Sequence, residues 1–108
     1  MKILAIEKEL PGCDWSNAGE TLEQEARVVY QLSQRGVIRE IYFTGDKKAV
    51  VVLECSSMSS AADILATLPL VKKQMISFSL MELHPYTGFD RIINSDIPAT
   101  EKTTLSDL

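Results

Sequence analysis

Hydrophobic residues follow two different periods along this chain, and the order of the periods predicts its secondary structure. Four segments have the alternation or the short apolar runs that are typical of β-strands. They span residues 2–7, 37–44, 49–55 and 75–83. Apolar residues recur at helical spacing after Thr21 and again after Ser56. The predicted order is therefore strand, helix, strand, strand, helix, strand.

Residues that begin and end helices bound the two helical segments. Thr21 and Gln24 have the spacing of a capping box, which predicts a helix start at Thr21. Gly36 is expected to end that helix, because glycine readily takes the left-handed conformation. A serine between Ser56 and Ser60 is expected to cap the second helix, and Pro69 to end it.

The second and third strands are predicted to form a hairpin. Gly45 and Asp46 are a two-residue turn signal, with Gly45 supplying the positive φ angle. The third strand, 49–55, has a continuous apolar run, which indicates burial on both faces. In the second strand, strict alternation places Arg39 and Glu40 on opposite faces, so they cannot line one cavity unless a bulge intervenes.

This element order predicts an α+β protein with a ferredoxin-like βαββαβ fold, in which both helices cover one face of an antiparallel sheet. The other face is then exposed to water or covered by something else. A second copy of the chain is the simplest cover, which predicts a homo-oligomer, a dimer at least, built as a dimeric α/β barrel. We expect one domain over residues 1–93, and a mobile tail or oligomer arm over residues 94–108.

Composition narrows the class of protein. The 108 residues are 45% hydrophobic, which suffices for one modest core. The net charge is −4 and the eleven Lys and Arg residues are scattered, so we expect no nucleic-acid partner. No apolar run approaches the roughly 20 residues of a membrane helix, so no membrane partner is expected. The sequence begins without a secretory signal, which favours a cytoplasmic protein whose Cys13 and Cys55 are unpaired thiols.

Three short motifs at defined spacing carry a family resemblance. They are the segment Gly36–Tyr42, the Leu68-Pro69-Leu70 tripeptide, and the His84-Pro85 pair fourteen residues after Leu70. Together they resemble the muconolactone isomerase family. The resemblance implies a ferredoxin-like fold, assembly through dimeric α/β barrels, and the movement of a double bond in a lactone by proton transfer. It also implies that neither a metal nor an organic cofactor takes part.

Allylic proton transfer requires a base and a group that stabilises negative charge on a carbonyl oxygen. We predict that Glu40 is a catalytic base and that Tyr42, on the same strand face, hydrogen-bonds the enolate oxygen. His84, the sole histidine, is the natural acid or base near neutral pH. The competing interpretation for all three is that they are exposed, structural or interface residues.

Arg39 is the basic residue inside the second predicted strand, and we predict that it binds a substrate carboxylate through a bidentate contact. The competing interpretation is an ion pair with Glu54 or Glu82 on a neighbouring strand. A metal site is not predicted, because there is a single histidine and the carboxylates lack ligand spacing.

The function predicted from the sequence is therefore a cofactor-independent, isomerase-like proton transfer on a small lactone or organic acid. Glu40 and Tyr42 stand where the family resemblance leads us to expect a more basic, Trp-rich strand. Two alternatives therefore stay open. One is a non-catalytic oligomer that binds a small molecule, and the other is a cofactor-free monooxygenase built on the same barrel.

Overall fold

Strands pair into one antiparallel sheet in the computed structural model, which describes residues 1–96. The strands are β1 (Lys2–Glu9), β2 (Ile38–Phe43), β3 (Ala49–Glu54) and β4 (Ile76–Leu83), and their order in the sheet is β2-β3-β1-β4. The helices are α1 (Gly19–Gln34), α2 (Met58–Leu65), α3 (Pro69–Lys72) and α4 (Asp90–Asp96). This arrangement confirms the predicted α+β class and ferredoxin-like element order.

The core lies between one face of the sheet and the helices. Alternate residues of the central strands, such as Ile3 in β1 and Leu53 in β3, are fully buried there. They pack against Leu32 of α1 and against Ala61 and Leu65 of α2. The alternate apolar residues of the strands and the helically spaced apolar residues of α1 and α2 thus form one apolar layer. We call this the helix face of the sheet, and the opposite side the open face.

A β-bulge in β2 changes which of its side chains share a face. Ile38 pairs with Leu53, and Glu40 pairs with the next residue of β3, Val52, so that Arg39 is the extra residue. After the bulge, Ile41 lies opposite Val51 on the helix face. The strict alternation that we predicted for this strand is therefore wrong at Arg39, because a bulge shifts the alternation by one residue.

The start of α1 also differs from the prediction. The helix begins at Gly19, its N-cap is Ala18, and no side chain caps it. Thr21 lies inside the first turn and is buried, and its Oγ1 accepts a hydrogen bond from Lys73 Nζ at 2.7 Å. The capping box is thus wrong because a tertiary partner binds the hydroxyl. The prediction for α2 is confirmed, since the Ser57 hydroxyl accepts from the Ser60 N–H at 3.0 Å.

Two turn predictions have different outcomes. Gly36 follows α1 with φ +76°, which confirms its role in ending the helix. In the β2–β3 connection the positive φ, 64°, belongs to Lys47 and not to Gly45. The Thr44 N–H donates to the Lys48 carbonyl at 2.8 Å, so the loop holds three residues and not two. Three-residue hairpin loops place their left-handed residue at the last position, which is Lys47 here.

Pro69 begins a helix, whereas the sequence predicted that it ends one. The second helix already stops at Leu65, and Pro69 is at the first turn of α3, where its missing N–H costs nothing. The third strand is confirmed as buried on both faces, since Val51 on the helix face is 2% exposed and Val52 on the open face is 8% exposed.

The chain after β4 leaves the sheet and forms α4. The rings of Tyr86 and Phe89 contact edge to face with centroids 5.0 Å apart, and both are exposed. The predicted tail or arm, 94–108, lies mostly outside the described residues, and the 1–93 domain boundary stays a prediction. Within residues 1–96, no helix is long and apolar enough to cross a membrane.

We expect Gly36→Ala to lower the free energy of unfolding by about 1–2 kcal/mol, the cost of a left-handed residue with a Cβ. An added Cβ would meet only Arg39 Nε at 3.9 Å, so the cost is one of backbone conformation. Urea denaturation measures it. Gly45→Ala is the matched control, because Gly45 has open space and no positive φ, and a change within about 0.5 kcal/mol is expected. Equal effects of both variants would contradict this account.

Candidate active site

A cavity of about 670 Å³ lies between the helix face of the sheet and the helices. Its volume is in the range of small-molecule sites in proteins. Most of its walls are aliphatic and aromatic side chains. They include Leu22 and Val29 of α1, Ile41 and Phe43 of β2, Ile76 and Phe78 of β4, and Leu68 and Leu70 around the start of α3. The exposed apolar residues Leu22, Ile41 and Phe43 therefore share one concave surface.

Two carboxylates reach the cavity from β1 because of strand alternation. Glu7 and Glu9 follow Ile3 and Ala5 at period 2, so all four share the helix face. Ile3 and Ala5 are fully buried, whereas Glu7 and Glu9 line the cavity at the end of the strand. Glu7 Oε1 accepts a hydrogen bond from the Ala49 N–H at 3.1 Å. That bond holds the Glu7 carboxylate against the start of β3.

Glu25 brings a third carboxylate into the cavity from α1. It lies on the apolar stripe of the helix, three residues after Leu22 and four before Val29. Its Oε1 accepts a hydrogen bond from the Leu70 N–H at 3.0 Å. Leu70 follows Pro69 in the first turn of α3, where backbone N–H groups have no partner within the helix. The Leu68-Pro69-Leu70 motif thus provides the donor that fixes Glu25.

Burial raises the pKa of Glu25 above its ordinary value, since an apolar wall disfavours the charged form. The hydrogen bond from Leu70 lowers this pKa and so opposes the effect of burial, and the negative charge of Glu7 adds a further increase. The net direction is upward. A carboxyl group with a raised pKa is suited to accept and return a proton near neutral pH.

Trp15 closes part of the cavity from the loop before α1. Its side chain packs on the cluster that contains Leu70, Met75 and Ile76. Its Nε1 atom is buried and has no hydrogen-bond acceptor among residues 1–96. The same loop is held to the start of β4 by the Leu10 N–H, which donates to the Met75 carbonyl at 3.0 Å.

Glu40 and Tyr42, the predicted base and enolate donor, lie together on the open face and not in this cavity. Glu40 pairs with Val52 and Tyr42 with Val50, both on the open face. The Tyr42 hydroxyl donates to Glu40 Oε1 at 2.9 Å, and this bond raises the pKa of Tyr42. The structure therefore brings these two residues together as predicted. Their catalytic roles stay predictions.

His84 and Arg39 lie near the other end of the sheet. His84 follows Leu83, which pairs with Lys2 at the start of β1, whereas the cavity carboxylates lie at its end. The imidazole is exposed, with Nε2 3.5 Å from Glu82 Oε1. Arg39 Nε donates to the Gly36 carbonyl at 2.5 Å. Neither residue lines the cavity, and their predicted roles stay predictions.

Sequence reasoning missed Glu7, Glu9 and Glu25, although each had a signal. Glu25 interrupts an apolar stripe at helical spacing, and a carboxylate in such a stripe is placed against apolar surface. Glu7 and Glu9 continue the alternation of a strand whose first members are buried.

Among residues 1–96, no three His, Cys, Asp or Glu side chains are grouped to hold a metal ion. Cys13 and Cys55 are both free thiols, as expected.

Comparison with solved structures places this architecture in a known fold class. Muconolactone isomerase superposes with a TM-score of 0.67 at 20% identity, over 92% of this chain and 97% of that one. A 5-chloro-2-hydroxyhydroquinone dehydrochlorinase from Burkholderia phenoliruptrix AC1100, in complex with 2,5-dihydroxybenzoquinone, superposes with a TM-score of 0.57 at 14% identity. That match covers 82% of this chain and 98% of the other. The chain therefore has the muconolactone isomerase-like fold, as the motifs predicted.

Sequence comparison adds no closer assignment. No protein-family model matches the chain, and a search of curated proteins finds no match. The likeness at these identities is one of fold.

We expect the free energy of unfolding of Glu25→Gln to increase relative to that of the wild type as pH rises. A carboxyl whose pKa is raised in the folded state contributes stability below its unfolded pKa, and this contribution is lost as pH rises through the folded pKa. Glutamine keeps an acceptor for Leu70 and cannot ionise. Urea denaturation at a series of pH values between 4 and 8 should show the variant gaining on the wild type as pH rises. Glu20→Gln, in the first turn of the same helix, controls for the loss of a carboxylate. A flat difference would contradict the prediction.

Proposed function

We propose that this protein is a cofactor-independent, isomerase-like enzyme that transfers a proton on a small lactone or organic acid bound in the cavity. Glu25 is the base. The observation that carries the proposal is a half-buried carboxyl of raised pKa in the wall of an apolar cavity that is large enough for a small molecule. The fold shared with two small-molecule enzymes supports the same class of function.

The reaction needs only one proton carrier. In an α,β-unsaturated lactone, the Glu25 carboxylate removes the proton from the γ carbon, and the electron pair enters the conjugated system. Negative charge develops on the carbonyl oxygen as a dienolate. The Glu25 carboxylic acid then returns the proton to the α carbon, which leaves the double bond between the β and γ carbons. Atoms and electrons balance without a metal, an oxidant or a second substrate.

Glu25→Gln should lower kcat for isomerisation of 5-methylfuran-2(5H)-one by about 100-fold or more, the usual contribution of a general base. Proton NMR of the vinyl signals follows the reaction. Glu20→Gln is the control that leaves the cavity intact. The rival assignment is tested by Glu40→Gln and His84→Ala. Full activity in Glu25→Gln, with a large loss in either of those variants, would show that the reaction occurs outside the cavity. Binding without turnover in the wild type would favour a non-catalytic binding protein.

We further propose that the open face is the interface of a homodimer. Cross-strand pairing aligns Val52, Leu4 and Met81 in one row on this face, and Tyr42, Val50 and Ile6 in the next. Lysines and glutamates surround these rows, which is the apolar centre and polar rim of a typical interface. Two sheets packed on this face would form the predicted barrel and would enclose Glu40 and Tyr42 between the copies.

Met81→Lys should convert the dimer to a monomer, because it places an ammonium group at the end of an apolar row in the proposed interface. The side chain is 44% exposed in the single chain, so the fold should tolerate the change. Sedimentation at micromolar concentration measures the mass, and circular dichroism checks the fold. Tyr30→Lys, at a residue of α1 that is 63% exposed, is the control and should stay dimeric. A monomeric wild type would refute the interface.

A further inference from the structure

We propose that the cavity selects uncharged lactones, or similar uncharged carbonyl compounds, over carboxylated acids of the same skeleton. The inference rests on the proposed function of this site and narrows its substrate class. It follows from the charges in the cavity wall, from how those charges are held in place, and from where the cationic side chains lie.

Carboxylates outnumber cations in the cavity wall. The ionisable side chains that line it are Glu7, Glu9, Glu25, Asp46 and Lys47. Asp46 pairs with Lys48 Nζ at 3.8 Å, which leaves the carboxylates of Glu7, Glu9 and Glu25 against the single ammonium group of Lys47. A carboxylate on a bound ligand would therefore meet like charges in a space with apolar walls, where their repulsion is screened less than in water.

Main-chain hydrogen bonds fix two of these carboxylates in the wall. Glu7 is bonded to the Ala49 N–H at 3.1 Å and Glu25 to the Leu70 N–H at 3.0 Å. Neither can turn out to solvent without breaking its bond and leaving a backbone donor without a partner. The negative charge of the wall is thus a built-in property of the fold rather than a side-chain arrangement that an anionic ligand can displace.

The cationic groups suited to bind a carboxylate lie elsewhere. Arg39, which the sequence favoured for this role, bonds to the Gly36 carbonyl and does not line the cavity. Exposed His84 is at the far end of β4. Lys47 does line the cavity, but its single ammonium group cannot form the two parallel hydrogen bonds that a guanidinium gives a carboxylate. No described residue provides the bidentate clamp expected for an organic acid.

The wall does not exclude cations, because the carboxylates of Glu7, Glu9 and Glu25 and the faces of Phe43 and Phe78 attract them. A cation beside Glu25 would stabilise its carboxylate and make it a weaker base. An uncharged lactone avoids both the repulsion of an anion and this loss of basicity, and keeps Glu25 competent for the proposed proton transfer.

Binding of matched lactones tests the selection separately from turnover. The probes are 5-methylfuran-2(5H)-one and its 5-carboxymethyl analogue, which is an anion at pH 7. Trp15 is the single tryptophan of the chain and lines the cavity, so its emission reports binding. NMR shift changes in the protein give a second measure of Kd. We expect the uncharged lactone to bind about tenfold or more tightly than the carboxylated one.

A charge variant distinguishes selection by the wall from poor fit. Glu7→Gln keeps an acceptor for the Ala49 N–H and removes one charge, so it should reduce the preference severalfold, mainly by improving binding of the anion. Glu20→Gln, which does not line the cavity, should leave the preference unchanged. Equal or tighter binding of the carboxylated lactone overturns the inference, as does absence of binding by the uncharged one. Selective binding without turnover supports the inference and refutes the proposed reaction alone.

Discussion

The β-bulge at Arg39 decides which residues of β2 face the helices. Without an extra residue, Ile38 and Ile41 would lie on opposite faces, and one of them would leave the apolar layer. With it, Ile38 joins the core, whereas Ile41 and Phe43 extend the same face into the cavity wall. The same shift sends Glu40 and Tyr42 to the open face. The extra residue thus places Ile41 and Phe43 in the cavity wall and Glu40 and Tyr42 on the opposite face of the sheet.

Glu25 sets a second constraint, because a carboxylate on the apolar stripe of α1 needs a polar partner where few exist. The turn before α3 provides it: Pro69 begins the helix without a donor, and the next N–H, from Leu70, points to the carboxylate at 3.0 Å. The bond joins α1 to α3, but burial still dominates the pKa of Glu25. The Leu68-Pro69-Leu70 tripeptide therefore both begins α3 and supplies the hydrogen bond that holds the Glu25 carboxylate.

Most of the fold could be predicted from the sequence, because strand alternation, helical spacing and the Ser57 cap are local signals. The predictions were wrong where a tertiary contact or the backbone geometry of a turn overrode a local sequence signal. Thr21 bonds to Lys73 instead of capping α1, and Lys47 takes the positive φ that Gly45 was expected to supply. The candidate site was less predictable. Strand alternation pointed to Glu40, which shares a face with Tyr42, whereas the hydrogen bond that holds Glu25 depends on how α1 packs against α3, which local spacing does not encode.

The two faces of the sheet differ in how their polar groups are satisfied, and this difference bears on where chemistry occurs. On the open face, the Tyr42 hydroxyl donates to the Glu40 carboxylate, so the donor that an enolate would need is already engaged. In the cavity, Glu7 and Glu25 each use one oxygen on a main-chain N–H. Their second oxygens accept no hydrogen bond within residues 1–96. Glu40 also has an unbonded second oxygen, but it is exposed on the open face of one chain, whereas Glu25 is half-buried in a cavity wall, where a carboxyl can act on an enclosed ligand.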